Sequence, residues 1–480
     1  MISFPLILLF GLLAIVLLDG NWRDGLLLTV VIGHLQDPIR KLTPEQPSIL
    51  SGMVLLAFLL CVLVLVERGG SPGGLRAMFW TAPAMGDWVP LYFGLIALQA
   101  VNSFLRFGDL SLTGLGVAFY LAPAIGLWVG YQVGCNPAFL KKLIVTYLVV
   151  CVLFAITAYL DFRGLRHPLL KEVGGGLLIT FEGFSAQGVS GFWRTSEIAG
   201  WHLAAGSCLS IVLAASSRRR ENQILLLLLA AAFAYLTIPT GRRKSLVLTL
   251  AFAAFYLILF SRKATPASRE QVLSSVLGSA AMAYAGYALF LISAKGDAFN
   301  IYLNRVLTAK DDILGRFQVQ GIGALTRGLE ISQGFGLGVG AGANLGNLKI
   351  SAQAAAERSG IESLAYSSEG GGGRLVSELG LPGLFIGGGT TLIFLLSLWR
   401  NFQILDRLPG SLASLLLGLA SFGLANILFF FSAGQVYSDP YILILLGLCF
   451  GAFLAVPTLI ARQQLQMQQS MAAGGMGLPR

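Results

Sequence analysis

The chain is short of charge. Only 12% of its 480 residues are Asp, Glu, Lys or Arg, against about 25% in an ordinary soluble domain. Histidine is scarcer still: His34, His167 and His202 are the whole complement. Scattered so widely in sequence, they are not expected to form a metal cluster. The five cysteines (Cys61, Cys135, Cys151, Cys208 and Cys449) include no CxxC pair, and four lie inside apolar runs. They read as small core residues, with neither a disulfide framework nor a metal site. No internal repeat stands out, which disfavours a repeat-built transporter.

What the chain has in excess is apolar surface. Hydrophobic residues make up 55% of it, and the mean hydropathy is +0.76. A chain of this composition cannot hide its apolar groups in a core and still present a polar exterior to water. A soluble enzyme, a disordered protein and a fibrous protein are therefore excluded. Lipid is the main solvent. The net charge of +10 is first a topology signal and second a hint of an anionic partner.

A membrane span needs roughly 20 mostly apolar residues. Such runs occur at about 2–18, 49–66, 88–106, 112–130, 142–160, 197–216, 223–240, 245–261, 272–293, 383–399, 411–431 and 440–459. The expected fold is thus an all-α polytopic membrane protein with about 12 spans. The short run from Gly25 to Gly33 is a thirteenth span or one arm of a re-entrant hairpin. The first run lacks a basic leader and a small-residue cleavage site, so it reads as an anchor. The layout divides into an N-terminal transmembrane bundle (1–293), a large loop (294–382), C-terminal transmembrane helices (383–460) and a disordered tail (461–480). Alternating spans put Lys141-Lys142, Arg218-Arg219-Arg220, Arg262-Lys263, Arg400 and Arg407 on one side, the expected cytoplasmic side. The loops 161–196 and 294–382 then face outward. The longer one balances eight basic against eight acidic residues, and a loop of that length in a compact membrane protein is usually functional.

One basic group opposes the positive-inside rule. Thr240-Gly241-Arg242-Arg243-Lys244 falls between two spans on the expected outer face. The next apolar run starts at Ser245, so these cations stand at a helix N-terminus, where the dipole also favours an anion. Arginine suits phosphate because its planar fork donates two parallel hydrogen bonds. A second polar cluster, Trp193-Arg194-Thr195-Ser196-Glu197, opens the 197–216 span, with His202 about two turns in. Thr195 or Ser196 reads as a cap and Glu197 as a first-turn acid. Arg194 is unfavourable at a helix N-terminus and asks for another explanation. His202, ionisable within a span, is either a functional residue or a neutral imidazole bonded to a neighbouring helix.

Three features mark the long loop. Asp312 to Phe317 includes Arg316. Gly334 to Gly342 has glycine at every second position; with no βαβ unit around it, it reads as a turn that lets backbone approach a ligand or a helix closely. The run Gly370-Gly371-Gly372-Gly373 lies between Glu369 and Arg374, either as a flexible linker or as adaptable backbone beside a carboxylate and a cation. Glu369 is the candidate general base, in a partly apolar cavity at the membrane face where desolvation raises a carboxylate's pKa. Glu378 reads as a surface residue or an ion-pair partner.

These motifs resemble the superfamily of O-antigen ligases and O-antigen polymerases, bacterial membrane glycosyltransferases. The resemblance is carried by Phe192 to Ala199, by the basic loop Arg218 to Arg220, by Thr240 to Lys244 and by Glu378-Leu379-Gly380-Leu381-Pro382-Gly383. It covers about a third of the chain at motif level, plus the layout. The family's histidine position falls on Glu369 and its asparagine on Gly370. The resemblance implies a GT-C-like fold with one large helical periplasmic loop. It implies an undecaprenyl-pyrophosphate-linked glycan as donor and a glycan or lipid-glycan as acceptor, joined at the periplasmic face of the inner membrane. Arg242 and Arg243 would then hold the pyrophosphate, with Lys244, Arg194, Arg316, Glu197, His202 and Arg374 near the substrate, and Glu369 would deprotonate the acceptor. Asp311-Asp312 are merely adjacent, with no Asp-x-Asp on an outer loop. Metal-independent chemistry without a cofactor is expected, and no nucleic-acid partner. Membrane lipid and a polysaccharide export machinery are the remaining expected partners. The rivals are a flippase or exporter of lipid-linked oligosaccharide and a non-catalytic component of an assembly complex.

Overall fold

The computed structural model of the protein describes residues 4–67, 78–79, 82–173, 178–181, 184–263, 273–274, 276–278, 301, 315, 317–342, 370–432 and 434–475. Among these, nine helices are long and apolar enough to cross a membrane, or ten if one bent pair counts as a span. The protein is accordingly a helical polytopic membrane protein. Ten of the twelve expected spans coincide with these helices. The expected span at 272–293 lies outside the described residues but for a few positions at its start. The first expected span is helix α1 (Phe4–Leu18). Its 15 residues reach only about 22 Å, short of a hydrocarbon core of about 30 Å.

Helix α2 (Trp22–Leu42) contains the Gly25–Gly33 run. It carries Arg23, Asp24, Asp37, Arg40 and Lys41, which hides it from a hydropathy count. Asp24 in its first turn meets Lys142, near the start of α6 (Pro137–Phe162), at 3.2 Å. Lys41 in its last turn donates to the Gly191 carbonyl at 2.7 Å. Gly191 in turn donates its N–H to Asp161, near the end of α6, at 3.0 Å. Helix α2 therefore runs the full length of α6 and is not a hairpin arm. Its charges lie near its two ends, with apolar residues between, which is where a bilayer tolerates them.

The remaining helices are α3 (Met53–Glu67), α4 (Pro83–Phe107), α5 (Leu110–Gly134), α7 (Ser196–Ser216), α8 (Arg220–Thr237), α9 (Arg243–Lys263), α10 (Ala324–Ser332), α11 (Gly371–Ile404), α12 (Gly410–Ser432), α13 (Pro440–Leu454) and α14 (Val456–Gly475). A short antiparallel hairpin, β1 (Leu178–Phe181) and β2 (Phe184–Gln187), interrupts the helices between α6 and α7. Lys142 stands near the start of α6 and Arg218–Arg220 between α7 and α8, and Arg462 donates to the Cys135 carbonyl just before α6. The basic loops used for orientation thus collect at one end of the bundle. Arg194 and Arg242 stand at the other.

Close helix packing depends on glycine. Gly126, Gly130 and Gly134 of α5 face Gly447 and Gly451 of α13. A Cβ at Gly130 would lie 2.4 Å from the Leu448 carbonyl oxygen, and one at Gly451 2.0 Å from that of Leu127. In lipid, where apolar side chains gain little by meeting one another, such backbone contact is a main source of helix association. Helix α7 is the bundle's axis: every residue except Glu197 is buried.

One expectation is corrected, and one pair of alternatives is resolved. The stretch 461–480 is helical as far as Gly475, within α14. Gln, Met, Arg and Ala favour helix once one is started, and α13 leads into α14 across a bend of 40°. The Gly370–Gly373 run is not a flexible linker. Gly370 caps α11, and Gly371, Gly372 and Gly373 form its first turn. They are glycine because α10 and α12 pass too close for a side chain: a Cβ at Gly373 would lie 2.7 Å from that of Ala324. Within α11, Gly380 (φ 65°, ψ −160°) breaks the helix ahead of Pro382, beside the expected boundary between loop and span.

Candidate functional site

The candidate site is the corner where α7 and α9 begin. Helix α8 passes through a single 3₁₀ turn, Ile238–Thr240, and ends on Gly241 in the left-handed region (φ 69°). Glycine takes that conformation without strain. The reversal starts α9 at Arg243, so Arg243 and Lys244 occupy its first turn and Arg242 immediately precedes it. Thr240 accepts from the Arg242 N–H at 3.3 Å and donates to the Thr237 carbonyl at 2.6 Å. The turn is seated on α7: a Cβ at Gly200 would lie 2.7 Å from the Ser245 hydroxyl. The Pro239 carbonyl accepts from Val189 at 3.1 Å.

Arg242 is half-buried, and its Nε donates to the Ser196 hydroxyl at 3.3 Å. Among the described residues its two terminal nitrogens have no hydrogen-bond partner. Glu197, the one residue of α7 that is not buried, stands next to Ser196, also without a described partner. Thr195 is the α7 cap, accepting from the Ile198 N–H at 3.3 Å. Glu172 accepts from the Ser196 N–H. Arg242 thus presents the two-pronged donor that suits a phosphate, over a helix start whose dipole also favours an anion.

Arg194 is placed differently. Its guanidinium is buried and bridges Asp37 at 3.2 Å and Asp439 at 2.6 Å. Burial works against its charge, but Asp439 and Asp37 outweigh burial and hold its pKa above the ordinary value. Asp439 also caps α13 through the Tyr441 N–H at 2.7 Å. Arg194 therefore joins α2, the approach to α7 and the start of α13, which explains a cation at an otherwise unfavourable position. Lys41 has a comparable role, bonded to the Leu169 and Gly191 carbonyls.

Arg374 is likewise internal. Its Nε meets Glu378 at 2.9 Å, its Nη1 donates to Ser438 at 2.7 Å, and it lies 3.8 Å from the Phe119 ring centroid. Glu378 also accepts from the Tyr120 hydroxyl at 2.7 Å and from the Gly342 N–H at 2.9 Å. That network anchors the alternating-glycine tract. Gly334, Gly336, Gly338 and Gly340 all have positive φ, between 85° and 100°. The tract passes so close to α4 and α5 that a Cβ at Gly338 would lie 2.5 Å from Ser103 backbone. The tract therefore serves close approach to helices.

His202 is buried, with its Nδ1 2.9 Å from the Tyr147 hydroxyl. The structure corrects the view of the histidines as scattered. His34 and His202 have ring centroids 5.0 Å apart, and Cys151 Sγ lies 3.3 Å from His34 Nε2. Positions 34, 151 and 202 are distant in sequence, and only the packing of α2 beside α6, both running the same way, against the oppositely directed α7 joins them. His167 is elsewhere, accepting from the Leu169 N–H at an exposed turn. Asp37 and Asp439, missed in the sequence, had one signal: each is an acid at the edge of an apolar run. Glu369 and Arg316 lie outside the described residues. No family model and no curated protein matches this chain.

Proposed function

We propose that the protein is a glycosyltransferase of the O-antigen ligase or polymerase kind. It joins an undecaprenyl-pyrophosphate-linked glycan to an acceptor sugar at the periplasmic face of the bacterial inner membrane, in surface polysaccharide or exopolysaccharide synthesis. The observation that carries this reading is Arg242: a half-buried guanidinium, fixed through Nε to Ser196, with both terminal nitrogens unengaged among the described residues. It stands at the bundle end opposite the basic loops, which by the positive-inside rule is the periplasmic end.

In the reaction the acceptor hydroxyl loses its proton to Glu369, and its oxygen bonds to the anomeric carbon of the donor. The bond from that carbon to pyrophosphate breaks, and lipid pyrophosphate departs with the electron pair. Arg242, with Arg243 and Lys244 beside it, stabilises the charge growing on the leaving group, the role that preorganised donors fill best. Arg194 and Arg374 act here as struts and not as donor ligands, since each already faces carboxylate.

The test is chain joining by the purified protein in lipid nanodiscs, supplied with lipid-pyrophosphate-linked oligosaccharide, first alone and then with candidate acceptors. Joined product from the wild type, reduced at least about 100-fold in Arg242→Ala, supports the reading. Near-normal product from Arg242→Ala sinks the pyrophosphate role. No product with any acceptor, together with movement of the lipid-linked glycan between leaflets, would make the protein an exporter.

A further inference from the structure

The second polar centre of the bundle is not used by that reading. His34 of α2, Cys151 of α6 and His202 of α7 each offer one ligand atom, and the three atoms lie within 4.8 Å of one another. All three side chains are buried. A hydrogen-bonded core histidine is common; two histidines and a thiol from three helices, converging in an apolar interior, are not what packing alone requires.

The outer partners have the pattern of a metal site. His34 Nδ1 lies 3.1 Å from the Val30 carbonyl oxygen and 2.9 Å from the Tyr441 hydroxyl. With Nδ1 donating to that carbonyl, Nε2 turns its lone pair toward Cys151 Sγ at 3.3 Å. His202 is held through Nδ1 by Tyr147. Metal-bound imidazoles are oriented in this way by a partner on the second ring nitrogen. Trp193 stacks on His202 with ring centroids 5.8 Å apart and closes that side of the site.

Charge decides which ion fits. The surrounding rings (Tyr147, Phe154, Trp193 and Tyr441) make a low-dielectric shell, where net charge is costly. One thiolate and two neutral imidazoles carry −1 in total. A divalent ion would leave +1 buried, whereas a monovalent one leaves zero. Thiolate and imidazole together suit Cu(I). We propose that His34, Cys151 and His202 form a three-coordinate site for Cu(I). On binding, the Cys151 S–H bond is replaced by S–Cu and the proton leaves to solvent; no electron changes hands. The ion ties α2, α6 and α7 together about 9 Å along α7 from Ser196, six residues at about 1.5 Å each. It lies below the Arg242 corner and takes no part in glycan transfer.

The experiment loads the purified full-length protein with Cu(I) in detergent under anaerobic, reducing conditions, removes loose metal and measures copper per chain. X-ray absorption on the loaded wild type counts one sulfur and two nitrogens around copper if the site is as proposed. Cys151→Ser keeps the side-chain size and is expected to lower copper affinity at least tenfold; its folding is checked by size exclusion. One copper per chain with that ligand set supports the site. Copper with only nitrogen or oxygen ligands, or no copper retained, overturns it. Preferential retention of Zn(II) when both ions are offered overturns the monovalent assignment. The wild-type ligand count decides the matter even if the serine variant fails to fold.

Discussion

Arg194 and Arg242 stand at the same end of the bundle and differ in what each faces. Arg194 is buried against two carboxylates, and Arg242 is half-buried with one bond to a serine hydroxyl. The first is a completed internal charge network; the second has donor capacity left over. Taking a guanidinium out of water costs several kcal/mol unless carboxylates compensate it. A cation compensated inside the protein has little left for an outside anion. Position near a helix start does not distinguish these arginines, because both have it. Their partners do.

The sharpest way to break the comparison is Asp439→Ala. It leaves Arg194 half-compensated in the interior and uncaps α13, with an expected loss of about 3–5 kcal/mol. Thermal unfolding in detergent would show it, and a variant as stable as the wild type would mean Arg194 does not need its partner. Next comes Gly338→Ala, at the other glycine-bound centre. Its backbone is left-handed (φ 100°), and the new Cβ meets Ser103 backbone at 2.5 Å, so about 2–3 kcal/mol should be lost. Lys142→Ala removes an ion pair with Asp24 that is half in solvent, and about 0–1 kcal/mol is expected. The smallest stability effect belongs to Arg242→Ala, within about 0.5 kcal/mol of the wild type, beside the large loss of glycan joining proposed above. A melting temperature that falls as far in Arg242→Ala as in Asp439→Ala would erase the distinction between strut and donor.

Much of the fold was legible in the sequence because lipid imposes a length and an apolar composition on each span. Helix α2 escaped that test because charges near both its ends dilute an apolar middle. At the site, the turn Thr240 to Lys244 and the start of α7 were readable from local chemistry: a glycine that permits the reversal, a Thr–Ser pair to cap, and cations at the bundle end opposite the other basic loops. Of the two readings of Glu378, the ion-pair partner holds, with Arg374 four residues before it, and the surface residue does not, since Glu378 is fully buried. The partner carboxylates Asp37 and Asp439 of Arg194, 157 and 245 residues away, were not readable. The spacing Gly126, Gly130, Gly134 and the pair Gly447, Gly451 carried a packing signal at intervals of four, but a spacing does not say which helix answers it.

By itself, then, the sequence determined what is local or compositional: a membrane solvent, the positions of most long apolar helices, the caps, the glycine turns, and a basic corner at the bundle end opposite the other basic loops. Hydropathy and helix geometry act over a few turns, so they are written in contiguous residues. Tertiary structure alone decided which arginine is spent and which is open, and that His34, Cys151 and His202 meet. Those outcomes depend on which helices lie side by side and in what register. That is settled by backbone contacts such as α5 against α13 and by charge pairs such as Arg194 with Asp439, between groups that no sequence interval relates.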